Sequence, residues 1–168
     1  NAVGGRRLSI DVNQTRVNRA KELGATEAIN TAGMREEQIT AAIKDIVGYR
    51  GSDGLVETTG VEMVIKATMK ALKHGCTCAQ VSAAPNVFFS NYINECNDGR
   101  KVHFIRYGNQ NTDDFVPLMI QMWKDGKFPF DKLVSFYTLD EAQKAIDDST
   151  AGIATKPIVL MNKEDLPK

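Results

Sequence analysis

At 168 residues and 18.5 kDa the chain has the size of one domain, long enough to bury roughly 70% of its surface without disulfide staples. Hydrophobic residues make up 42% and charged residues 25%, a globular composition, and 21 Lys+Arg against 21 Asp+Glu leave no net charge. That balance speaks against a nucleic-acid partner, which needs a basic stripe. The longest uncharged stretch, Gly75 to Asn94, is broken by Gln80, Pro85 and several Asn and Ser, so it cannot span a bilayer. No signal peptide is visible. Three Cys, two of them as Cys76-Thr77-Cys78, suit a reduced, cytoplasmic compartment better than a disulfide framework. The chain opens on Asn1 and soon enters a strand-like run, as a processed chain or a piece of a longer one would.

Taken in order, short β-like runs alternate with helical periods. Leu8 to Val12 reads as a strand carrying a carboxylate near its end. Gln14 to Leu23 is rich in helix formers, with Gly24 where a C-cap glycine would sit. Ala28-Ile29 is a brief strand. Glu36 to Val47 places Ile39, Ile43, Ile46 and Val47 at helical spacing and stops at Gly48. Gly54 to Thr58 is a strand, and Val61 to Leu72 a helix ending near Gly75. Thr77 to Ser82 and Lys101 to Tyr107 are strands. Asp113 to Asp125 is helical, with Val116, Met119, Ile120 and Trp123 on one face. Leu133 to Tyr137 is a strand, Thr138 to Glu141 a capping box for a helix through Asp147, and Lys156 to Met161 a last strand. This rhythm predicts an α/β fold with a doubly wound parallel sheet in a single domain.

Asp11 is the most informative residue. In open α/β sheets ligands sit beyond the carboxyl ends of strands, and a carboxylate there can accept both hydroxyls of an adenosine ribose; equally, any strand can end in a surface Asp. A glycine-rich dinucleotide fingerprint belongs roughly 20 residues earlier. Ten residues precede Asp11, so that motif is outside this sequence, and Gly4-Gly5 has the wrong spacing to replace it.

Several blocks resemble one family, in the right order. They are Asp11-Val12-Asn13 with Arg16, Ala20 to Asn30 (AKELGATEAIN), Glu57-Thr58-Thr59-Gly60, Gly126 to Val134 (GKFPFDKLV) and Lys156 to Leu160 (KPIVL). Together they are similar to the cofactor domain of the zinc-type, medium-chain alcohol dehydrogenases, with wording closest to the aryl (benzyl) branch. The resemblance implies a Rossmann-type sheet that lacks its first strand and glycine-rich turn, within a partial dinucleotide-binding domain over residues 1–168. It implies NAD as cofactor. Asp11 would hold the adenosine ribose, with Asn13 and Arg16 nearby, and Thr58, Thr59 and Val61 would line the adenine and ribose side. Gln80 to Ser82 and Ile105 to Tyr107 would offer backbone groups to the nicotinamide carboxamide. Lys156 would face the pyrophosphate as a point charge. Zinc, the proton relay and most of the pocket for an alcohol or aldehyde would lie on a catalytic domain outside this sequence. Phe104 and Arg106 stand where the family often has small or apolar residues. A homodimer or homotetramer is implied, joined through the edge strand Lys101 to Tyr107.

The other candidates carry less. Cys76 and Cys78 alternate along a strand and face opposite ways, and with Cys96 distant they make no four-ligand zinc knuckle. His74, near a helix end, and His103, in mid-strand, have no nucleophile at a useful spacing. Phe88, Phe89 and Trp123 read as core or subunit contact. The leading expectation is the NAD(H)-binding portion of an alcohol dehydrogenase. Its rivals are a non-catalytic NAD(H)-binding or dimerisation module and a zinc-free quinone or enoyl reductase of the same superfamily.

Overall fold

The computed structural model describes residues 5–83, 98–162 and 164; Phe88, Phe89 and Cys96 lie outside them. Two compact units divide the chain at Asn111 and Thr112.

The first unit, Arg6–Asn111, begins with strand β1 (Leu8–Asp11), helix α1 (Gln14–Glu22) and strand β2 (Glu27–Asn30). The two strands pair in parallel, Asp11 opposite Asn30. Helix α1 stops where Gly24 takes φ +97, the left-handed value that spares a glycine the steric penalty of a Cβ. There the Gly24 and Ala25 amides reach back to the Lys21 and Ala20 carbonyls. Helix α2 (Glu36–Val47) leads to strand β3 (Ser52–Glu57), then helix α3 (Glu62–Lys70), strand β4 (Leu72–Gln80) and strand β5 (Lys101–Phe104). Strands β3, β4 and β5 form a second parallel sheet in that order.

A strand pair and a three-stranded sheet that belong to one doubly wound design therefore stand apart. Neither β1 nor β3 has a further strand partner among the described residues. Both line a cavity of about 590 Å³, floored by Ile43 and Val47 of α2 and Val64 and Thr68 of α3. The floor is a packed core. Ile39 and Ile43 of α2 meet Ala67 and Ala71 at the end of α3, with Leu8 and Ile10 of β1 against them. The other side of α3 sends Ile65 and Met69 onto Leu72 and Cys78 of β4. The Thr40 hydroxyl donates to the Ala67 carbonyl at 3.1 Å, tying the helices together. The resemblance implies the strand order 3-2-1-4-5-6, with the family's first strand between the one ending at Asp11 and the one ending near Glu57, and the break in mid-sheet falls there.

The second unit, built from the described residues from Thr112 onward, holds helix α4 (Thr112–Lys124), strand β6 (Val134–Thr138), helix α5 (Ala142–Thr150) and strand β7 (Lys156–Leu160). β6 and β7 run parallel, and Tyr137, Ala145 and Ala154 form their small core. The capping box forms as expected: Glu141 accepts from the Thr138 amide at 3.0 Å and its hydroxyl at 2.9 Å. Tyr137 donates to Asp148 at 2.8 Å, and the Lys144 ammonium lies 2.7 Å from the same carboxylate. Those two donors, Lys144 first, hold the Asp148 carboxyl below the usual range.

Four expectations need correction. Helix α3 ends at Lys70, and Leu72 opens β4, because the Ala71 amide closes the helix and the chain runs extended through Gly75 at φ +72. His74 consequently sits on a strand, exposed, 3.3 Å from Asp98. β5 stops at Phe104, and Tyr107–Asn109 is a 3-10 turn with the Asn109 amide bonded to the Arg106 carbonyl. Of the two readings given for Trp123, core falls and subunit contact stays open: it is 42% exposed, and its indole N–H donates to Asp131.

Candidate functional site

Asp11 closes β1 half-buried. One carboxylate oxygen, Oδ1, accepts from the Asn13 amide at 2.8 Å; the other lies 3.8 Å from the Arg16 guanidinium. Asn13 serves as N-cap of α1, accepting from the amides of Thr15 at 2.9 Å and Arg16 at 3.3 Å. Its side chain is thus committed to the helix, and it reaches the Asp11 carboxylate through its backbone alone. On the neighbouring strand the Thr31 amide donates to the Asp11 carbonyl at 2.9 Å, fixing the strand end. The three residues expected around an adenosine ribose lie together at the carboxyl end of one strand.

A second cluster lies at the carboxyl ends of β3 and β4. Glu57, 2% exposed, stands opposite Gln80, 1% exposed. The Glu57 carboxylate accepts from the Thr59 amide at 2.9 Å, the Gly60 amide at 3.1 Å and the Gln80 amide nitrogen at 2.9 Å. The hydroxyls of Thr59 and Ser82 donate to it as well. Burial pushes this carboxyl up, but the bonds from Ser82, Thr59 and Gly60 together outweigh that and hold it below its ordinary value. Thr58, Thr59 and Val61 sit on the turn after β3, all exposed. Ile105 donates its amide to the Gln80 carbonyl at 2.9 Å, which joins the end of β5 to the same cluster. Lys156 begins β7 in the second unit, exposed.

The structure brings Thr58, Thr59, Val61, Gln80, Ser82 and Ile105 into one rim and Asp11, Asn13 and Arg16 into another, both within the first unit. Glu57 was not among the residues singled out for a role. Its signal was present: an acid at the end of an apolar strand, followed by Thr-Thr-Gly, whose amides and hydroxyls are the donors that a buried carboxylate requires. Among the described residues no group of three or more His, Cys, Asp or Glu is placed to hold a metal ion, and no helix is long and apolar enough to cross a membrane.

Comparison with known proteins agrees with this geometry. The family model described as zinc-binding dehydrogenase matches residues 1–123. Geraniol dehydrogenase of Castellaniella defragrans is 30% identical over 162 residues, 95% of this chain and 43% of that protein. Benzyl alcohol dehydrogenase of Acinetobacter calcoaceticus superposes with a TM-score of 0.82 at 32% identity, covering 95% of this chain and 43% of the other. A zinc-binding-domain alcohol dehydrogenase protein of Burkholderia ambifaria gives 0.81 at 31% identity, covering 94% and 42%. The chain spans less than half the length of these relatives. With parallel strands whose carboxyl ends gather the two rims, the chain has the Rossmann-like NAD-binding fold of medium-chain dehydrogenases, and it belongs to the zinc-binding dehydrogenase family.

Proposed function

We propose that this chain is the NAD(H)-binding portion of an NAD-dependent alcohol dehydrogenase of the aryl alcohol type. The observation that carries the reading is Asp11, a half-buried carboxylate at a strand's carboxyl end, with one oxygen ordered by the Asn13 amide. Such a group accepts from the two ribose hydroxyls of NAD and repels the 2′-phosphate of NADP. Thr58, Thr59 and Val61 line the adenosine side. Gln80, Ser82, Ile105 and the Tyr107 backbone face the nicotinamide side. Bound NAD supplies the hydride acceptor; this chain's part is to bind and orient it. The described residues do not fit a zinc site, so no step here runs through the metal. The substrate class rests on the aryl wording of the Glu57 to Gly60 and Gly126 to Val134 blocks and on the benzyl alcohol and geraniol relatives.

In the intact enzyme, Asp11→Gly should erode the preference for NAD over NADP. Charge-assisted hydrogen bonds contribute about 1.5–3 kcal/mol, a change of about 10- to 150-fold in the ratio of kcat/KM values. Equal use of both cofactors by the unmodified enzyme would contradict the reading. Zinc analysis of the same preparation separates it from a zinc-free reductase.

The assembly we propose is a homo-oligomer joined at β5, which pairs only with β4 among the described residues. An edge bearing Phe104, 50% exposed, invites a twin strand. Light scattering on the intact protein should give a dimer or tetramer; a monomer would contradict it.

A further inference from the structure

We propose that Glu57 is the positioning residue of the cofactor site: its ionised carboxylate locks the turns after β3 and β4 into a single rim. This rests on the NAD(H) reading above and adds to it a residue that the reading leaves without a role.

The geometry is that of a hub. One carboxylate oxygen, Oε1, faces the Thr59 amide and hydroxyl; the other, Oε2, faces the Gly60 amide, the Gln80 amide nitrogen and the Ser82 hydroxyl. From there the bonds continue outward. The Thr59 hydroxyl oxygen accepts from the Val61 amide at 3.1 Å, at the first turn of α3, where Val61 is an N-cap with no side-chain cap of its own. The Gln80 amide nitrogen also donates to the Ser82 hydroxyl oxygen at 2.6 Å. The opposite end of that amide, Oε1, is buried without a partner. Glu57 and Ser82, not the amide's own acceptor, therefore dictate how Gln80 is turned.

The two turns are also in contact. Gly60 has φ +69, and a Cβ there would come within 2.8 Å of the Ala83 carbonyl oxygen. Displacing one turn displaces the other. Five of the residues assigned to the cofactor rim, Thr59, Val61, Gln80, Ser82 and Ile105, are thus tied directly or through one bond to the Glu57–Gln80 pair.

No salt-bridge partner of Glu57 is found among the described residues, so aimed dipoles alone hold the charge. That makes the requirement for a carboxylate specific. A glutamine at 57 would present N–H groups on one side, and each side carries a backbone amide, Thr59 on one and Gly60 on the other. Hydroxyls can rotate to accept; a backbone N–H cannot. Whichever way the new amide turned, two donors would face each other and one backbone N–H would lose its acceptor.

The test compares Glu57→Gln and Ser82→Ala with the unmodified 168-residue chain by residue-resolved amide hydrogen exchange and by NMR titration with NADH and with AMP. In Glu57→Gln, exchange should speed up at least about tenfold at Thr59 or at Gly60, whichever faces the new amide nitrogen, and stay unchanged at Ala28 and Thr31 on the Asp11 side. NADH affinity should fall about tenfold and AMP affinity only about threefold, because AMP keeps the Asp11 corner and loses only the Thr59 and Val61 side, whereas NADH also loses the Gln80 to Ile105 side. Ser82→Ala keeps the carboxylate and should move both readouts in the same direction by less. Unchanged exchange at Thr59 and Gly60, or equal losses for NADH and AMP, would overturn the proposal. So would a Ser82→Ala chain, if Glu57→Gln does not fold, that shows no split between the two ligands. Faster exchange at Thr59 or Gly60 in Glu57→Gln, with neither ligand binding the unmodified chain, would instead overturn the NAD(H) reading and support the hold on the turn.

Discussion

Asp11 and Glu57 are both acids at strand ends, and their surroundings give them opposite duties. Asp11 is half-buried and receives one backbone amide, which leaves acceptor capacity for a ligand. Glu57 is buried and its oxygens are filled by five donors from the protein itself. The first can bind; the second can only hold. Its depressed folded pKa also has a consequence for stability. The stability that Glu57 adds is fully present above the ordinary glutamate value of about 4.3 and fades as pH falls through its lower folded value. Chemical denaturation at stepped pH should therefore show a loss of stability below about pH 4 that is shallower in Glu57→Gln. Parallel slopes for the two proteins would contradict it. The placement of Asp11 beside Asn13 and Arg16 at a strand end was legible in the sequence because strand, acid and the following Asn and Arg are contiguous. The hub at Glu57 was not, because two of its five donors come from β4 and the turn after it, 23 and 25 residues away.

At the scale of elements, helix and strand order could be read from periodicity and glycine stops, and the parallel pairing followed from their alternation. The misplaced end of α3, and His74 with it, has an identifiable cause. At the α3–β4 junction Ala71 and Leu72 continue the apolar helical period, yet the buried Leu72 is spent on the sheet core instead. Gly51 explains why the junction is so tight: at φ +94 it lies against the Ala71 carbonyl, where a Cβ would come within 2.3 Å. No such contact can be seen from sequence. The cavity between β1 and β3 was foreseeable only through the resemblance, since nothing in the pattern of either strand says which edge is open. Its floor is pre-formed by α2–α3 packing, so a parallel, alternating aliphatic strand should fit it. A synthetic six-residue peptide of alternating valine added in excess should raise the thermal midpoint of the chain, and its N-methylated analogue should not. Equal effects of the two peptides would show that no ladder forms.

At the scale of the whole molecule, the proposed site is an adenosine corner at β1 and a rim across β3, β4 and β5, and these 168 residues do not include the family's glycine-rich turn. That turn supplies the amides and helix N-terminus which grip a pyrophosphate. Asp11 does not replace a preorganised anion site. The central claim is that this chain carries the ribose and nicotinamide contacts of an NAD(H) site but not the contacts that make binding tight. Calorimetric titration of the 168-residue chain with NADH tests it most directly. The account predicts weak, millimolar-range binding that Asp11→Ala abolishes. Micromolar or tighter binding, or millimolar binding indifferent to Asp11→Ala, would contradict it.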